Sequence, residues 1–340
     1  MTDVENILTL AIETSCDETS VAIVKGRDVL AVGTQTHLEH KDFGGIVPEI
    51  ASRRHIELLD VLVKKLINTI NLDLKDIDAV AVTNGPGLIG SLLVGVSYAK
   101  GLAQGLRKPL VGINHIYGHI QAAFIENEIV VPYIALVVSG GHTILVYTED
   151  NIHFEVLGQT RDDAAGEAFD KAAKLLNLGF PGGPIIDKVS QNIEAPYEFP
   201  IGLKKEGNLD FSFSGLKTSL LYFIKDKELS DKNEVYKIAA SFQKAVIEAL
   251  LYKLENAVKI KKVKNILVVG GVSANSLLRR EIYKRFPNYN IIIPPLKYCT
   301  DNAAMIAFSA NVLHPLWSVN WNKDYTLEAY ANLDLNTIYM

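Results

Sequence analysis

The alternation of apolar and polar positions along the chain predicts two antiparallel three-stranded meanders. The segments concerned are short, rich in β-branched residues and separated by gaps of turn length. They cover residues 7–14, 20–26 and 29–36 in the first meander, and residues 133–141, 142–150 and 154–160 in the second. Two separate sheets are therefore expected.

Helices and strands alternate after each meander. Apolar side chains recur mostly every four residues in two long segments, which is typical of one buried helix face. The elements expected after the first meander are a helix over 47–70, a strand over 78–87, a helix over 91–106 and a strand over 110–114. Those expected after the second are a helical stretch that starts at 164–178 and contains a long helix over 235–258, then a strand over 265–271, a helix over 273–286, a strand over 291–295 and a helix over 301–313.

The same order of elements thus occurs twice, which indicates an internal duplication. A length of 340 residues agrees with this interpretation, because a single domain usually has about 100 to 200 residues. The pattern therefore predicts an α/β protein of two domains, with ligands bound in a cleft between them.

Composition and charge narrow the functional classes. Apolar residues make up 48% and charged residues 21% of a chain with two cysteines and no basic segment in its first ten residues, so a folded protein of the reducing cytoplasm is expected. The longest apolar runs are too short to span a membrane. A net charge of −5 excludes a global attraction to nucleic acid, which leaves the local basic segments Arg53–Arg54, Lys204–Lys205 and Lys253 to Lys264. A solvated helix face explains each of these equally well.

Three glycine-rich or polar turns are candidate anion sites. ETSCDETS (13–20) and SGGHT (139–143) each join the first two strands of a meander, and consecutive backbone N–H groups in such turns bind anions. GGVSAN (270–275) follows a buried strand and opens a helix with Ser273 or Asn275, which suits a ribose or phosphate. Ordinary hairpins are the alternative for the first two. Since the chain has neither a Walker sequence nor GxGxxG, standard P-loop and Rossmann chemistry is disfavoured.

His115 and His119 form the clearest candidate metal site. Their spacing places both imidazoles on one helix face, and Asp301 is a candidate third ligand. The alternatives are a structural histidine pair and an aspartate that caps the helix following it. A zinc protease of the HExxH type is excluded, because Ile116 stands where that motif has its glutamate.

The acidic segment RDDAAGEAFDK (161–171) places Asp163, Glu167 and Asp170 at helical spacing. A surface helix would leave them as a solvated face, but PGGP (181–184) turns the chain back soon afterwards. Asp170 and Asp187 are therefore candidates to face the cleft and accept hydrogen bonds from sugar hydroxyls.

Ten segments between about Ile7 and Leu313, taken together and in order, resemble one known family closely. They read IETSCDETS, GGIVPEIASRRH, NGPGLIGSLLVG, HIYGH, LVVSGGHT, DDAAGEAFDKAAKLL, PGGP, DFSFSGLKT, GGVSAN and CTDNAAMIA. The family is the bacterial-type tRNA adenosine threonylcarbamoyltransferases, or TsaD family, formerly called O-sialoglycoprotein endopeptidases. The chain departs from the family pattern at Tyr117, where bacterial members usually have glutamate, and at Phe43, which replaces a common tyrosine.

The resemblance implies an actin-like ATPase fold, as in sugar kinases, Hsp70 and actin, with two duplicated ribonuclease-H-like domains around a cleft. We expect residues 1–120 to form the first domain, completed by the helix near 301–313, and residues 121–340 to form the second. The implied activity is acyl transfer, from threonylcarbamoyl-AMP to the N6 amine of the adenosine 3′ of the anticodon in tRNAs reading codons that begin with A. An actin-fold ATPase or small-molecule kinase and a non-catalytic scaffold are the alternatives, since fold alone does not define function.

The resemblance also implies roles for individual residues. His115, His119 and Asp301 match the ligands of one divalent metal, iron or zinc, and Asp17 and Glu18 match an acidic pair that we take as catalytic. The residues that match substrate contacts are Val137, Val138, Ser139, Gly140, Gly141, Asp170, Gly183, Asp187 and Asn275. The implied partners are tRNA, an inactive TsaB-like paralogue and a small TsaE-like ATPase, with no membrane. No covalent protein nucleophile is required, because the adenylate is already activated.

Overall fold

The computed structural model describes residues 6–204, 207–320 and 325–340, and the chain forms two compact units. The first unit comprises Met1–Glu128 together with Thr300–Met340, and the second comprises Ile129–Cys299. This division differs from the expected one, which placed residues 121–340 in the second domain apart from the helix near 301–313. The physical reason lies in the C-terminal residues, which pair with the sheet of the first unit.

The first unit is built on a five-stranded sheet of order β3-β2-β1-β4-β5. Its strands are β1 (Leu8–Glu13), β2 (Glu18–Lys25), β3 (Asp28–Thr36), β4 (Ala79–Gly85) and β5 (Leu110–Asn114). The first three strands pair antiparallel, whereas β4 pairs parallel with both β1 and β5. The predicted meander over residues 7–36 is thereby confirmed.

The chain terminus extends this sheet beyond β5. The backbone N–H of Gly112 donates to Met340 O at 2.8 Å, Met340 N–H donates back to Gly112 O at 2.9 Å, and Asn114 N–H donates to Ile338 O at 3.0 Å. These bonds satisfy backbone groups of β5 that no other strand pairs in the described part of the chain. The C-terminal segment is therefore part of the first unit.

Helices complete the first unit. In a numbering that follows chain order, they are α1 (His40–Phe43), α2 (Pro48–Ile70), α3 (Ile89–Leu106), α4 (His115–Ala122), α10 (Ala303–Val312) and α11 (His314–Asn320). Of these helices, α2, α3, α4 and α10 contact the sheet. The amphipathic α2 begins with Pro48, whose fixed φ suits the first helical turn, and ends before Asn71 in the left-handed region. Its buried face covers the sheet through Leu59, Leu62 and Leu66.

The second unit repeats the architecture. Its sheet has the order β10-β9-β6-β7-β8. The strands are β6 (Tyr133–Val138), β7 (Thr143–Thr148), β8 (Glu155–Gln159), β9 (Asn265–Val269) and β10 (Asn290–Ile292), and the helices are α5 (Ala165–Leu175), α6 (Gly182–Val189), α7 (Ser214–Ile224), α8 (Lys232–Lys261) and α9 (Ser276–Arg285). No helix within the described ranges has both the length and the apolar character needed to cross a bilayer.

The two sheets are equivalent strand by strand. Read from the opposite edge, the second sheet is β8-β7-β6-β9-β10, which matches β3-β2-β1-β4-β5 in both order and direction. In each sheet the central strands are buried along their whole length, and each unit closes its own apolar core. The internal duplication predicted from element order is confirmed.

Candidate functional site

The two histidines of HIYGH lie at the start of α4, directly after β5. Asn114 caps the helix, because its Oδ1 accepts hydrogen bonds from the backbone N–H groups of Ile116 and Tyr117 at 2.9 and 3.3 Å. His115 and His119 are consequently one turn apart, with ring centroids separated by 4.6 Å. The prediction that both imidazoles share one helix face is confirmed.

Asp301 lies against both imidazoles. Its Oδ1 is 3.0 Å from Nε2 of His119 and 3.7 Å from Nε2 of His115. It is not a helix cap, because Asn302 caps α10 by accepting a hydrogen bond from Met305 N–H at 3.0 Å. The capping interpretation of Asp301 is therefore wrong, and its carboxylate belongs with the histidines.

Gly118 allows this close approach. A Cβ atom at position 118 would meet Cδ1 of Ile306 at 2.8 Å, which is nearer than real Cβ contacts occur. The missing side chain lets α4 pack closely against α10, and Asp301 precedes α10 by two residues. A side chain at position 118 would have to displace the end of the Ile306 side chain, so the glycine of HIYGH favours this close packing.

The three side chains fit a cation. One ligand atom from each of His115, His119 and Asp301 lies within 4.8 Å of the others. His119 is fully buried, and neither of its ring nitrogens has a hydrogen-bond partner in the described structure, although Nε2 is beside Asp301. A buried imidazole nitrogen without a hydrogen bond is costly, and coordination of a metal would satisfy it. The cluster is compatible with a metal site.

Glu13 holds the outer nitrogen of His115. Its Oε2 lies 3.1 Å from Nδ1 of His115 and also accepts a hydrogen bond from Thr83, while its Oε1 accepts one from Ser15 N–H. Burial lowers the pKa of His115, but the charges of Asp301 and Glu13 outweigh burial and raise this pKa to about 9. A carboxylate on the outer nitrogen fixes the tautomer that turns Nε2 toward Asp301. The sequence analysis missed Glu13, whose signal is an acidic residue at the end of the wholly buried strand β1.

Asp17 and Glu18 lie where the turn after β1 meets β2. Burial, followed by the charge of Asp301, raises the pKa of both carboxyls, that of Glu18 to about 8. Burial also raises the pKa of the Cys16 thiol well above its usual value, with Asp17 adding to the effect. Cys16 is therefore a poor nucleophile, in line with the expectation that the chemistry requires none.

In the second unit, residues 137–141 run from the end of β6 into a tight turn. Ser139 N–H donates to His142 O at 2.8 Å, and the backbone N–H groups of Gly166 and Glu167 donate to Ser139 O and Gly140 O at 3.2 Å each. A Cβ atom at Gly140 or Gly141 would meet nothing within 4 Å. The start of α5 thus holds the turn through hydrogen bonds, and the space next to its two glycines is open.

The turn at 270–275 packs against this same strand end. Gly270 has a φ of +90°, and a Cβ there would meet Val138 O at 2.4 Å, so only glycine fits. Asn275 caps α9 by accepting a hydrogen bond from Leu278 N–H at 3.0 Å, and its amide donates to Gln243 at 2.8 Å. Asn275 rather than Ser273 opens the helix.

Asp170 and Asp187, two further substrate candidates, each accept hydrogen bonds from the start of a helix. Asp170 accepts a hydrogen bond from Gly182 N–H at 2.7 Å, immediately before Gly183. Asp187 accepts hydrogen bonds from Ser276 at its backbone N–H, at 3.1 Å, and at its hydroxyl, at 2.7 Å. The structure thus links Asp170 with the start of α6, and Asp187 with the start of α9. Some of the carboxylate oxygens that we expected to accept hydrogen bonds from sugar hydroxyls thus accept them from the protein itself.

Two sets of candidate residues have other partners. The largely buried Asp163 and the more exposed Glu167 each contact Lys171 at 2.7 Å, so both carboxylates belong to ion pairs. Lys253 is buried, and its Nζ donates to the carbonyl oxygens of Leu203 and Asn208. The prediction that Lys253 contacts RNA phosphates is therefore wrong, because its ammonium group is buried and binds the backbone carbonyls of a loop. Lys205 lies outside the described residues.

Solved structures of low sequence identity share this fold. HypF from T. kodakarensis matches with a TM-score of 0.60 at 14% identity, over 95% of this chain and 50% of HypF. The activator of the 2-hydroxyisocaproyl-CoA dehydratase from Clostridium difficile, solved with bound ADPNP, matches with a TM-score of 0.55 at 17% identity, over 93% of this chain and 98% of the activator. The chain is thus an α/β protein of the actin-like ATPase fold, as expected.

Sequence comparison defines the class further. The profile of the TsaD family, described as tRNA N6-adenosine threonylcarbamoyltransferase, matches residues 28–308. Proteins of that name from Thermosipho africanus and Clostridioides difficile are 49% and 48% identical to this chain, each over 97% of it and over 100% and 99% of their own lengths. This chain belongs to the tRNA N6-adenosine threonylcarbamoyltransferase family.

Proposed function

We propose that this protein transfers the threonylcarbamoyl group of threonylcarbamoyl-AMP to the N6 amine of the adenosine 3′ of the anticodon, in tRNAs that read codons beginning with A. Family membership supports the proposal over nearly the whole chain. The observation that carries it is the cluster of His115, His119 and Asp301, whose ligand atoms lie within 4.8 Å of one another. A phosphotransferase that uses Mg²⁺ and ATP would instead need oxygen ligands.

His115, His119 and Asp301 would hold one divalent iron or zinc ion, both of which accept imidazole and carboxylate ligands. An ion held by these three side chains would supply Lewis-acid stabilisation of the negative charge that develops in the reaction. Glu13 orients His115 through its Nδ1, at 3.1 Å. The buried carboxylate thereby keeps Nε2 of His115 on the side of Asp301, where these residues would hold the ion.

The second unit would bind the adenylate. The open turn of Ser139, Gly140 and Gly141, together with the preceding Val137 and Val138, offers backbone groups to the phosphate and acyl parts. Asp170, Gly183, Asp187 and Asn275 would contact the nucleoside. Fixed donors and acceptors of this kind orient a substrate without reorganisation during the reaction.

In the transfer, the N6 nitrogen forms a bond to the carbamoyl carbon while the bond from that carbon to the phosphate oxygen breaks, and AMP leaves. The amine loses one proton. Asp17 and Glu18 are our candidate catalytic carboxylates. Because the pKa of Glu18 is raised to about 8, only the ionised fraction of Glu18 is able to take up this proton, and that fraction grows as the pH rises toward 8. Neither cysteine takes part.

Besides tRNA as the acceptor substrate, we propose a TsaB-like inactive paralogue and a TsaE-like ATPase as partners, with cytoplasm as the location. These proposals follow from the family resemblance. The chain has a net charge of −5, so binding of tRNA needs either local basic clusters or such a partner.

Incubation of the purified, metal-loaded protein with threonylcarbamoyl-AMP made from labelled threonine and with unmodified tRNA tests the function. The expected result is label in the adenosine beside the anticodon, formed with or without added partner proteins. ATP hydrolysis or phosphorylation of a small molecule without label in tRNA would favour the kinase alternative. Binding of partners with no transfer under any condition would favour the scaffold.

A further inference from the structure

Thr19, on β2, joins two buried histidines that the proposed chemistry does not use. Its Oγ1 lies 2.8 Å from Nε2 of His37 and 2.8 Å from Nδ1 of His55. On its other side, His55 places Nε2 3.0 Å from the carbonyl oxygen of Cys16. All three side chains are almost completely buried, so no water competes for these bonds.

The donor and the acceptor of each hydrogen bond in this series follow from its last member, the carbonyl group of Cys16. The Cys16 carbonyl only accepts, so Nε2 of His55 carries the proton and donates. A neutral imidazole has one N–H, so Nδ1 of His55 accepts from the Thr19 hydroxyl. That hydroxyl has no second hydrogen, so its oxygen accepts from Nε2–H of His37.

The reverse direction is unfavourable on independent grounds. It would place the proton of His37 on Nδ1, which has no hydrogen-bond partner among the described residues. A buried N–H without an acceptor is rarer and more costly than an unused lone pair. Both rings are neutral in either direction, because burial lowers the pKa of His55 and lowers that of His37 to about 3. The other groups facing this cluster are His40, Arg54 and Glu13.

The bonds converge on the turn that carries the acidic pair. His55 holds the carbonyl of Cys16, and the backbone N–H of His37 donates to the carbonyl of Asp17 at 3.0 Å. Two consecutive carbonyl groups of the turn are therefore held in place, that of Cys16 by a side chain of α2 and that of Asp17 by the residue that follows β3. The backbone at Asp17 and Glu18 is therefore less free to rotate than the backbone of an exposed loop.

We propose that His55, Thr19 and His37 are positioning residues for the reaction, acting through the backbone of residues 16 and 17 to place the carboxylates of Asp17 and Glu18. The inference rests on the proposed function for its kinetic consequence. The directed chain of hydrogen bonds itself is independent of that function.

The substitutions Thr19→Val and Thr19→Ser form a matched pair, because valine has nearly the same shape without the hydroxyl and serine keeps the hydroxyl. We expect T19V to lower kcat of transfer by about tenfold or more, since small displacements of catalytic groups have effects of this size. Metal content and KM for the adenylate are expected to stay within about threefold of wild type, and T19S is expected to retain wild-type kcat. Equal kcat in folded T19V and T19S would overturn the proposal.

A second pair covers the case in which T19V fails to fold. His55→Gln places an amide N–H near the former Nε2 and keeps the bond to Cys16, whereas the shorter His55→Asn does not reach that carbonyl. We expect the glutamine variant to keep most of the wild-type kcat and the asparagine variant to lose it. Equal activity of the two variants would overturn the positioning role.

Nitrogen NMR of the ¹⁵N-labelled wild-type protein shows which nitrogen of each imidazole carries the proton, independently of activity. We expect both histidines to be protonated on Nε2 only, and we expect each to titrate below the usual range of histidine, because burial lowers the pKa of His55 and lowers that of His37 to about 3. A proton on Nδ1 of His55 would overturn the assignment. Absence of transfer in the wild-type protein would count against the proposed function and leave this measurement valid.

Discussion

Oε2 of Glu13 lies 3.1 Å from Nδ1 of His115, and both side chains are buried at the end of β1 and the start of α4. The contact joins the turn that carries Asp17 and Glu18 to the helix that carries His115 and His119, two of the three proposed metal ligands. Because Glu13 also accepts hydrogen bonds from Ser15 N–H and the Thr83 hydroxyl, its position is fixed by its own turn and by two other segments, β4 and α4. The orientation of His115 is thus a property of the folded first unit.

Replacement of Glu13 by glutamine should lower metal affinity by about 10- to 100-fold, the usual effect of removing a carboxylate behind a histidine ligand. The neutral amide no longer stabilises the required tautomer of His115. Competition titration with a chelator measures the affinity, and Glu49→Gln, at the start of α2, is the matched control. Unchanged affinity in E13Q would show that Glu13 does not orient the ligand.

Alanine at His115, His119 or Asp301 should remove bound metal and nearly all transfer activity, because two remaining ligands hold a divalent ion weakly in an open site. Elemental analysis of the purified variants measures occupancy. His153→Ala provides the control, since His153 is exposed and pairs only with Asp150 in the described structure. A variant that retains full metal occupancy would remove its residue from the ligand set.

The sequence predicts the repeated element order because hydrophobic periodicity and turn residues act locally. It does not predict which of two adjacent polar residues caps α10, because Asp301 and Asn302 are both good caps and only the position of α4 decides between them. The pairing of Met340 with Gly112 is equally hidden, since it joins segments far apart in the chain. The burial of Lys253 cannot be predicted from the sequence for a related reason, because it depends on distant loop carbonyls that accept hydrogen bonds from its Nζ.

Asn275 caps α9, and we propose that it also binds the nucleotide; one pair of variants distinguishes these two roles. Asn275→Ala removes the cap of α9 and should lower the free energy of unfolding by about 1 kcal/mol. It should also weaken binding of an adenylate analogue by about 1 to 3 kcal/mol, the cost of a lost buried hydrogen bond. Asn275→Asp keeps the capping oxygen but loses the amide that donates to Gln243.

Denaturant unfolding and calorimetric titration measure the two quantities. We expect the aspartate variant to unfold near the wild-type value and still bind the analogue weakly. Wild-type affinity in both variants would place the nucleotide elsewhere.

Glu18 should make the stability of the metal-free protein depend on pH. Burial and the charge of Asp301 raise its pKa in the folded state to about 8, from a usual value of 4.5. Between these values the folded protein holds a proton that the unfolded chain has lost, so the free energy of unfolding falls as pH rises from about 4.5 to about 8. Below this window both states are protonated and the penalty vanishes.

Glu18→Gln lacks this titration, so its advantage over wild type should grow across the same window and level off above it. The expected gain is a few kcal/mol at most, because each pKa unit corresponds to about 1.4 kcal/mol. Urea unfolding of both proteins at pH 4.5, 6.5 and 8.5 measures the difference. A difference independent of pH would show that Glu18 is ionised in the folded protein throughout this range.

Binding of tRNA by the isolated chain should depend on two exposed basic clusters. Arg53 is exposed on α2, beside Arg54, which is partly neutralised by Glu39 and Glu57. At the end of α8 the exposed lysines are Lys259, Lys262 and Lys264, with Lys253 excluded by its burial.

Alanine at all residues of a cluster should lower tRNA affinity and flatten its dependence on salt, because each phosphate contact contributes to the number of released counterions. Adenylate binding should stay intact, since phosphate contacts position the RNA without touching the reacting group. Filter binding between about 50 and 200 mM salt gives the slope. Lys253→Met is an informative contrast: loss of the internal anchor should lower stability while the salt slope stays the same. If the isolated chain binds tRNA and neither cluster changes the slope, both clusters are solvated surface. If the isolated chain does not bind tRNA at all, a partner protein must hold the tRNA.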